Sequence, residues 1–287
     1  MPFFSIILPT YNRPSELKRA VSSVLNQCFS DFELLIINNG DSLVIGDFKD
    51  ARIRFITEEK KGANYARNKG IENAKGTFIC FLDDDDEYLP NHLEVMRNLI
   101  TENNSEVGFY RTFAKREIKP GVYVDQKDPL KPANMHNLHY SFLYPIYMNS
   151  VCIHKDILKQ QRFNPEVKVA QDYDLWIRIM AEHKLFITDT ITTVYHLSGD
   201  SISKPSKEKY YYYIKLFKSY FDNPKYGKLL PKSLKSDRIF KYYYWIFCEY
   251  KKDLGFFEFI NIISKIIFYK PVMLLNKELY ATILKSK

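Results

Sequence analysis

Short apolar runs that each break off at a polar cluster, with helical periodicity between them, constrain this chain more than any other feature. Ser5–Leu8 stops at Pro9-Thr10-Tyr11-Asn12, and Phe32–Ile37 stops at Asn38-Asn39-Gly40-Asp41-Ser42. Thr77–Leu82 runs directly into four aspartates, Asp83 to Asp86. Between the runs, Leu17, Ala20, Val21, Val24 and Leu25 recur at helical spacing behind a capping Ser15. Gly62 then opens a helix rich in small residues (Ala63, Ala66, Gly70, Ile71, Ala74) that stops at Gly76. Runs apolar on both faces need helices on both sides, so the alternation predicts an α/β fold with a mostly parallel sheet. Arg52–Ile56 reads as a half-exposed strand and Thr77–Leu82 as a central one. Leu93, Met96, Leu99 and Ile100 mark a further helix after Pro90, and Leu175, Trp176, Ile179 and Met180 mark one over 172–182. Residues 103–145 lack clear periodicity and carry Pro120-Gly121, Pro129, Pro132 and Pro145, so loops and edge strands around a site are expected there.

Composition narrows the class. With 46% hydrophobic and 26% charged residues over 287 positions, disordered, collagen-like and fibrous chains are excluded. The net charge of +8 favours anionic partners, whether nucleic acid, phosphorylated substrates or an acidic membrane surface. Cys28, Cys80, Cys152 and Cys248 form neither a CxxC pair nor a zinc spacing and read as thiols of a reducing compartment. No basic leader and no apolar run of about 18 residues is evident, so a cytoplasmic location is expected. From about Ser198 the chain becomes rich in Lys and Tyr, with tyrosine at 210–213, which predicts a separate helical unit over 204–287. In it Phe257, Ile260, Ile263 and Ile267 share one helical face and Glu258, Asn261 and Lys265 another. That helix either packs on the rest of the protein or lies on an anionic membrane surface.

Three constellations bear chemistry. Adjacent carboxylates at the end of a buried strand repel one another unless something positive compensates, and strand ends are where α/β sheets bind ligands. A hard divalent cation bridging Asp83–Asp86 to a diphosphate would serve; a solvated acidic turn is the plain alternative. Gln171-Asp172 opens a helix whose exposed amides favour an ionised carboxylate, as a general base or as an ordinary cap. The loops Pro9–Pro14 and Asn38-Asn39 offer an aromatic ring and amides to a nucleobase, and turn chemistry explains them equally.

Taken in order, Ser5–Asn12, Phe32–Ile37, Gly62–Gly70, Phe81–Asp86 and Gln171-Asp172 resemble family 2 glycosyltransferases of the GT-A fold, over about two-thirds of the chain. The resemblance implies a Rossmann-like, mixed, mostly parallel sheet flanked by helices, with a helical C-terminal appendage. It divides residues 1–203 into a nucleotide-sugar half, 1–102, and an acceptor half, 103–203. It implies nucleotide-binding roles for Pro9, Thr10, Tyr11, Asn39, Arg67, Asp83 and Asp84, and Asp172 as catalytic base. Asp85 would hold Mn²⁺ or Mg²⁺, with His196 near the metal or the diphosphate. The implied reaction is inverting transfer from a nucleoside-diphosphate sugar, with UDP as the family's usual carrier, to a glycan or lipid-linked glycan of a bacterial surface polysaccharide. It needs no covalent intermediate, and it suits a protein that is cytoplasmic or peripheral on the inner face of the cell membrane. Two positions depart from the family: Asn38-Asn39 replaces Asp-Asp, which removes charge and adds donors, and Gln171 replaces the frequent Glu before the base. A nucleotidyltransferase, a non-catalytic nucleotide- or glycan-binding protein and a nucleic-acid binder are the competing classes. Pro9–Pro14 lacks the glycine-rich loop of the first, and the aspartate run opposes the last.

Overall fold

The computed structural model describes residues 1–41, 48–197, 206–271 and 273. The chain divides into two compact units, Met1–Ser201 and Ile202–Lys287. The division expected at 203/204, and the composition change at Ser198, lie outside the described residues.

The first unit runs β1 (Phe4–Thr10), α1 (Pro14–Leu25), β2 (Phe32–Asn38), β3 (Ile53–Thr57), α2 (Ala63–Asn73), β4 (Phe78–Phe81), β5 (Glu87–Tyr88) and α3 (His92–Glu102). It continues through β6 (Gly108–Lys119), β7 (Val122–Gln126), α4 (Asn137–Leu143), β8 (Val151–His154), α5 (Lys155–Gln160), α6 (Gln171–Met180) and β9 (Lys184–Tyr195). The strands form one sheet in the order β3-β2-β1-β4-β8-β6-β9-β5, with β7 pairing off this path with Ala114–Lys119 of β6, beyond the residues that β8 pairs. Strands β3, β2, β1 and β4 are parallel, β8 runs against β4 and β6, and β9 is parallel to β6.

Both faces of the parallel half are covered, as its unbroken apolar runs require. Ile7, Leu35, Ile79 and Phe81 join the core with Ala66 and Ile71 of α2 and Leu175 and Trp176 of α6. Their neighbours Ile6, Leu8, Leu34 and Cys80 face Leu17, Val21 and Val24 of α1 and Met96 of α3. Gly70 lets α2 approach β1, because a Cβ there would overlap the Ile7 side chain. Ser15 does not cap α1. Its hydroxyl turns to Glu16, and Pro14 at the first helical position, whose fixed φ suits a helix start, opens the helix instead.

The stretch 103–145 is more ordered than expected. It supplies β6, a twelve-residue strand that pairs with β7, β8 and β9. Gly108–Ala114 is buried throughout, so period-two patterning is missing, and the polar Arg111 and Thr112 inside it mask the strand. Both are satisfied where they sit. Arg111 donates to Asp128 and the Pro145 carbonyl, and Thr112 accepts from Thr192.

The second unit contains α7 (Lys207–Asp222), α8 (Pro224–Gly227), α9 (Lys232–Tyr250) and α10 (Phe256–Tyr269). Ser206 caps α7 by accepting from Lys209 N. The tyrosine surplus packs here: Tyr213 and Phe217 of α7 stack on Tyr242 of α9, with the Tyr213 and Tyr242 rings 5.2 Å apart. Ile262 and Ile266 form the buried stripe of α10, whereas Phe256, Phe257, Ile260 and Phe268 are exposed. The face expected to be apolar, Phe257, Ile260, Ile263 and Ile267, is therefore exposed or half-exposed, and the buried stripe lies beside it. Among the described residues no helix is long and apolar enough to cross a membrane.

Candidate active site

Parallel pairing brings the three polar clusters to one edge of the sheet. Thr10 is in register with Asn38, Asn39 N donates to Thr10 O (3.0 Å), and Leu82 N donates to Ile7 O (3.0 Å). The loops after β1, β2 and β4 thus share the carboxyl end of the strands, where ligands bind in open α/β sheets.

The aspartate run alternates. Asp84 and Asp86 are buried, whereas Asp83 and Asp85 are half-exposed. Asp84 accepts from the Thr10 hydroxyl (2.8 Å) and from Arg13 Nη1 (3.3 Å), with the longer Tyr11 amide contact at 3.4 Å. Asp86 accepts from Asn149 Nδ2 (2.9 Å) and His196 N (3.1 Å). Burial pushes the Asp84 carboxyl up to about 6, against the pull of Thr10 and Arg13, and raises Asp86 well above the carboxylate range. Turned inward, the Asp84 side chain fastens the loop after β1.

The protein supplies its own cations to this cluster. Arg67 Nη2 lies 2.6 Å from Asp83 Oδ1, and Arg13 Nη1 reaches both Asp84 and Asp85, the latter at 3.0 Å. Arg13 was not among the residues singled out from sequence. A guanidinium in the loop beside a run of acids was the available signal.

Asp172 lies in the first turn of α6, which the chain enters through Ala170 in the left-handed region (φ 57°). Its carboxylate accepts from Tyr173 N (2.8 Å). Partial removal of this half-exposed group from water raises its pKa above the usual carboxylate value, while Arg67 opposes the rise and Asp83 reinforces it. Arg67 also donates to Gln171 Oε1 (3.1 Å), 104 residues further along the chain, so one buried guanidinium joins the end of β4 to the start of α6. An open pocket of about 340 Å³ adjoins this link, between Lys61, Gly62, Asn64 and Tyr65 around the start of α2 and Pro165–Lys168 with Gln171 at the start of α6.

The other expected residues separate. Pro9 and Thr10 are buried in β1, and Tyr11 is 51% exposed with Lys61 Nζ over its ring, 5.3 Å from the centroid. Asn39 is 4% exposed and its amide is already used. Nδ2 donates to the Glu58 and Lys60 carbonyls (2.7 and 2.8 Å), and Oδ1 accepts from Gly62 N (2.7 Å). Two donors are what this loop requires, so the Asn39 amide holds the turn into α2. His196 has Glu87 at its Nε2 (2.7 Å) and Glu117 at its Nδ1 (3.2 Å), so both ring nitrogens face carboxylates.

Among the described residues no group of three or more His, Cys, Asp or Glu is arranged to hold a metal ion. The half-exposed Asp85 fits the other mode open to Mg²⁺ or Mn²⁺, one or two carboxylates with the remaining positions left to phosphate oxygens and water.

Comparison with known proteins accords with this geometry. Residues 5–156 match the model of Glycosyl transferase family 2. An uncharacterized glycosyltransferase of Methanocaldococcus jannaschii is 30% identical over 78% of this chain and 81% of its own. The UDP-Glc:alpha-D-GlcNAc-diphosphoundecaprenol beta-1,3-glucosyltransferase WfgD of Escherichia coli is 31% identical over 69% of this chain and 79% of its own. Two rickettsial glycosyltransferases are longer, and this chain spans about a third of each. The crystal structure of S. aureus TarS residues 1–349 in complex with UDP superposes with a TM-score of 0.63 at 17% identity, covering 93% of this chain and 81% of that one, which shows the GT-A fold. The match to the family model over more than half of this chain makes it a member of glycosyl transferase family 2.

Proposed function

We propose that the protein is a metal-dependent, inverting transferase that moves a sugar from a nucleoside diphosphate, UDP by family usage, to a glycan or lipid-linked glycan acceptor. The observation that carries this reading is the Arg67 bridge, which sets a helix-start carboxylate, Asp172, beside the aspartate run at the sheet edge. Two relatives support the acceptor class. WfgD is named for transfer to a diphosphoundecaprenol-linked GlcNAc, and a Campylobacter jejuni relative, 27% identical, is named a GalNAc(5)-diNAcBac-PP-undecaprenol beta-1,3-glucosyltransferase. A third, the Escherichia coli protein WcaA, is named a putative colanic acid biosynthesis glycosyl transferase, which supports a place in surface polysaccharide synthesis.

In this reading Tyr11 stacks on the base, Asp83 and Arg67 meet the donor, and Asp84 with Thr10 keeps the loop after β1 in place. Asp85 would hold Mn²⁺ or Mg²⁺, which would supply charge neutralisation for the diphosphate leaving group. Asp172 takes the proton from the attacking acceptor hydroxyl, and attack opposite the leaving group inverts the anomeric carbon. His196 acts from behind by tying Glu87 to Glu117. A donor screen with Mn²⁺ or Mg²⁺ present or chelated, reading release of nucleoside diphosphate in the presence of lipid-linked acceptors, tests the assignment. Release that is independent of both ion and acceptor would overturn it.

A peripheral position on the inner face of the cell membrane belongs to the same reading. Phe256, Phe257, Ile260 and Phe268 are exposed on α10, and Lys251 and Lys252 precede it. Apolar side chains flanked by lysines suit an anionic bilayer surface.

A further inference from the structure

We propose that Gln171, through Arg67, is a positioning residue that sets the protonation of Asp172, and that its neutrality is what matters. The inference rests on the assignment of Asp172 as the base. Arg67 is 7% exposed and lies over the Phe163 ring, and its two terminal nitrogens are divided between Asp83 Oδ1 (2.6 Å) and Gln171 Oε1 (3.1 Å). Its Nε is buried without a hydrogen-bond partner among the described residues. The guanidinium is therefore fixed by side chains from two halves of the first unit, beside the start of α6. The charged groups that bear on Asp172 are Arg67 from α2 and Asp83 from the end of β4, while Asp174 of the same helix is paired with Arg178.

A carboxylate withdrawn from water resists ionisation, and a base must be ionised to accept a proton. Arg67 offsets that resistance. With Gln at 171 the guanidinium donates to a neutral oxygen and keeps its charge for Asp83 and Asp172. A glutamate at the same place would form an ion pair with Arg67 and put a third negative charge at the site. Each effect makes Asp172 harder to ionise, in the same direction.

The test reads Asp172 itself, so it does not need turnover. The ¹³Cγ resonance of Asp172, identified by its loss in D172N, is titrated in the full chain for wild type, Q171E, R67Q and R67K. Gln171 is half-exposed and Q171E is nearly isosteric, so that variant keeps the fold even if R67Q does not. The expected result is an upward shift of the Asp172 midpoint by about one pH unit in Q171E and R67Q, with R67K close to wild type because it keeps the charge. In the transfer assay the acid limb of kcat/KM moves up by the same amount. An Asp172 midpoint in Q171E equal to that of wild type would overturn the proposal. Absence of transfer activity in wild type together with a shifted midpoint would instead count against the functional reading and leave the electrostatic coupling standing.

Discussion

Replacing Asn39 by aspartate, the residue the family resemblance leads one to expect there, should destabilise this protein. The Asn39 amide makes three bonds of 2.7–2.8 Å inside the structure, two of them as donor to the Glu58 and Lys60 carbonyls. An ionised carboxylate has no donor, so both carbonyls would face an anion in a site that is 4% exposed. Leaving buried polar groups unmatched costs about 1–3 kcal/mol each, so the two together give about 2–6 kcal/mol. Lys61, which donates to the Asn39 carbonyl at 3.2 Å, will recover part of this and place the expected loss near the lower end. The effect should also depend on pH. An aspartate in this environment has a folded-state pKa above its unfolded value, so the penalty is fully present at high pH. It lessens as pH falls through the folded pKa, when the protonated carboxyl regains one donor. Urea unfolding of wild type and N39D at pH 5.5 and pH 8 measures both terms. A variant as stable as wild type at pH 8, or one whose deficit grows on acidification, would refute the assignment of Asn39 as a strut.

Further outcomes follow from the same site. D172N should lose about 10²–10⁴-fold in turnover while its melting temperature rises, because burial raises this carboxyl and an ionised group there opposes folding at neutral pH; kcat and thermal melts check it. D85N should remove the dependence of turnover on Mn²⁺ concentration while leaving the fold intact, since Asp85 is half-exposed and Arg13 keeps Asp84 as a partner; a manganese titration of initial rates reads it. F257E together with I260E should abolish co-sedimentation with vesicles containing about one-third anionic lipid without lowering transfer to a soluble acceptor, because both side chains are exposed on α10.

The strands and helices that carry the site were legible because each is a periodic or unbroken apolar segment bounded by turn residues, and β1, β2, α2, β4 and α6 lie where those patterns put them. Strand β6 was not, because Arg111 and Thr112 occupy buried positions and find their partners in Asp128, Pro145 and Thr192, residues that no local pattern can nominate. The aspartate run was legible as a charge problem. A divalent cation was the expected compensator; the structure shows Arg13 and Arg67 paired with the run. The division of the run into buried Asp84 and Asp86 and open Asp83 and Asp85 depends on what each side chain meets behind the strand. Asn149 and the backbone of His196 meet one, and Thr10 and Arg13 meet another. Gln171 shows the same limit. Sequence shows only that it stands where the family frequently has glutamate, and nothing local nominates Arg67, 104 residues earlier, as its partner.

The most direct test of the account is the anomeric configuration of the product formed from a nucleoside-diphosphate sugar of known configuration, read from the ¹H coupling constant of the transferred sugar early in the reaction. If Asp172 takes the acceptor proton while the diphosphate departs from the opposite face, the product is inverted. A product that retains the donor's configuration would contradict the single displacement on which the site assignment stands.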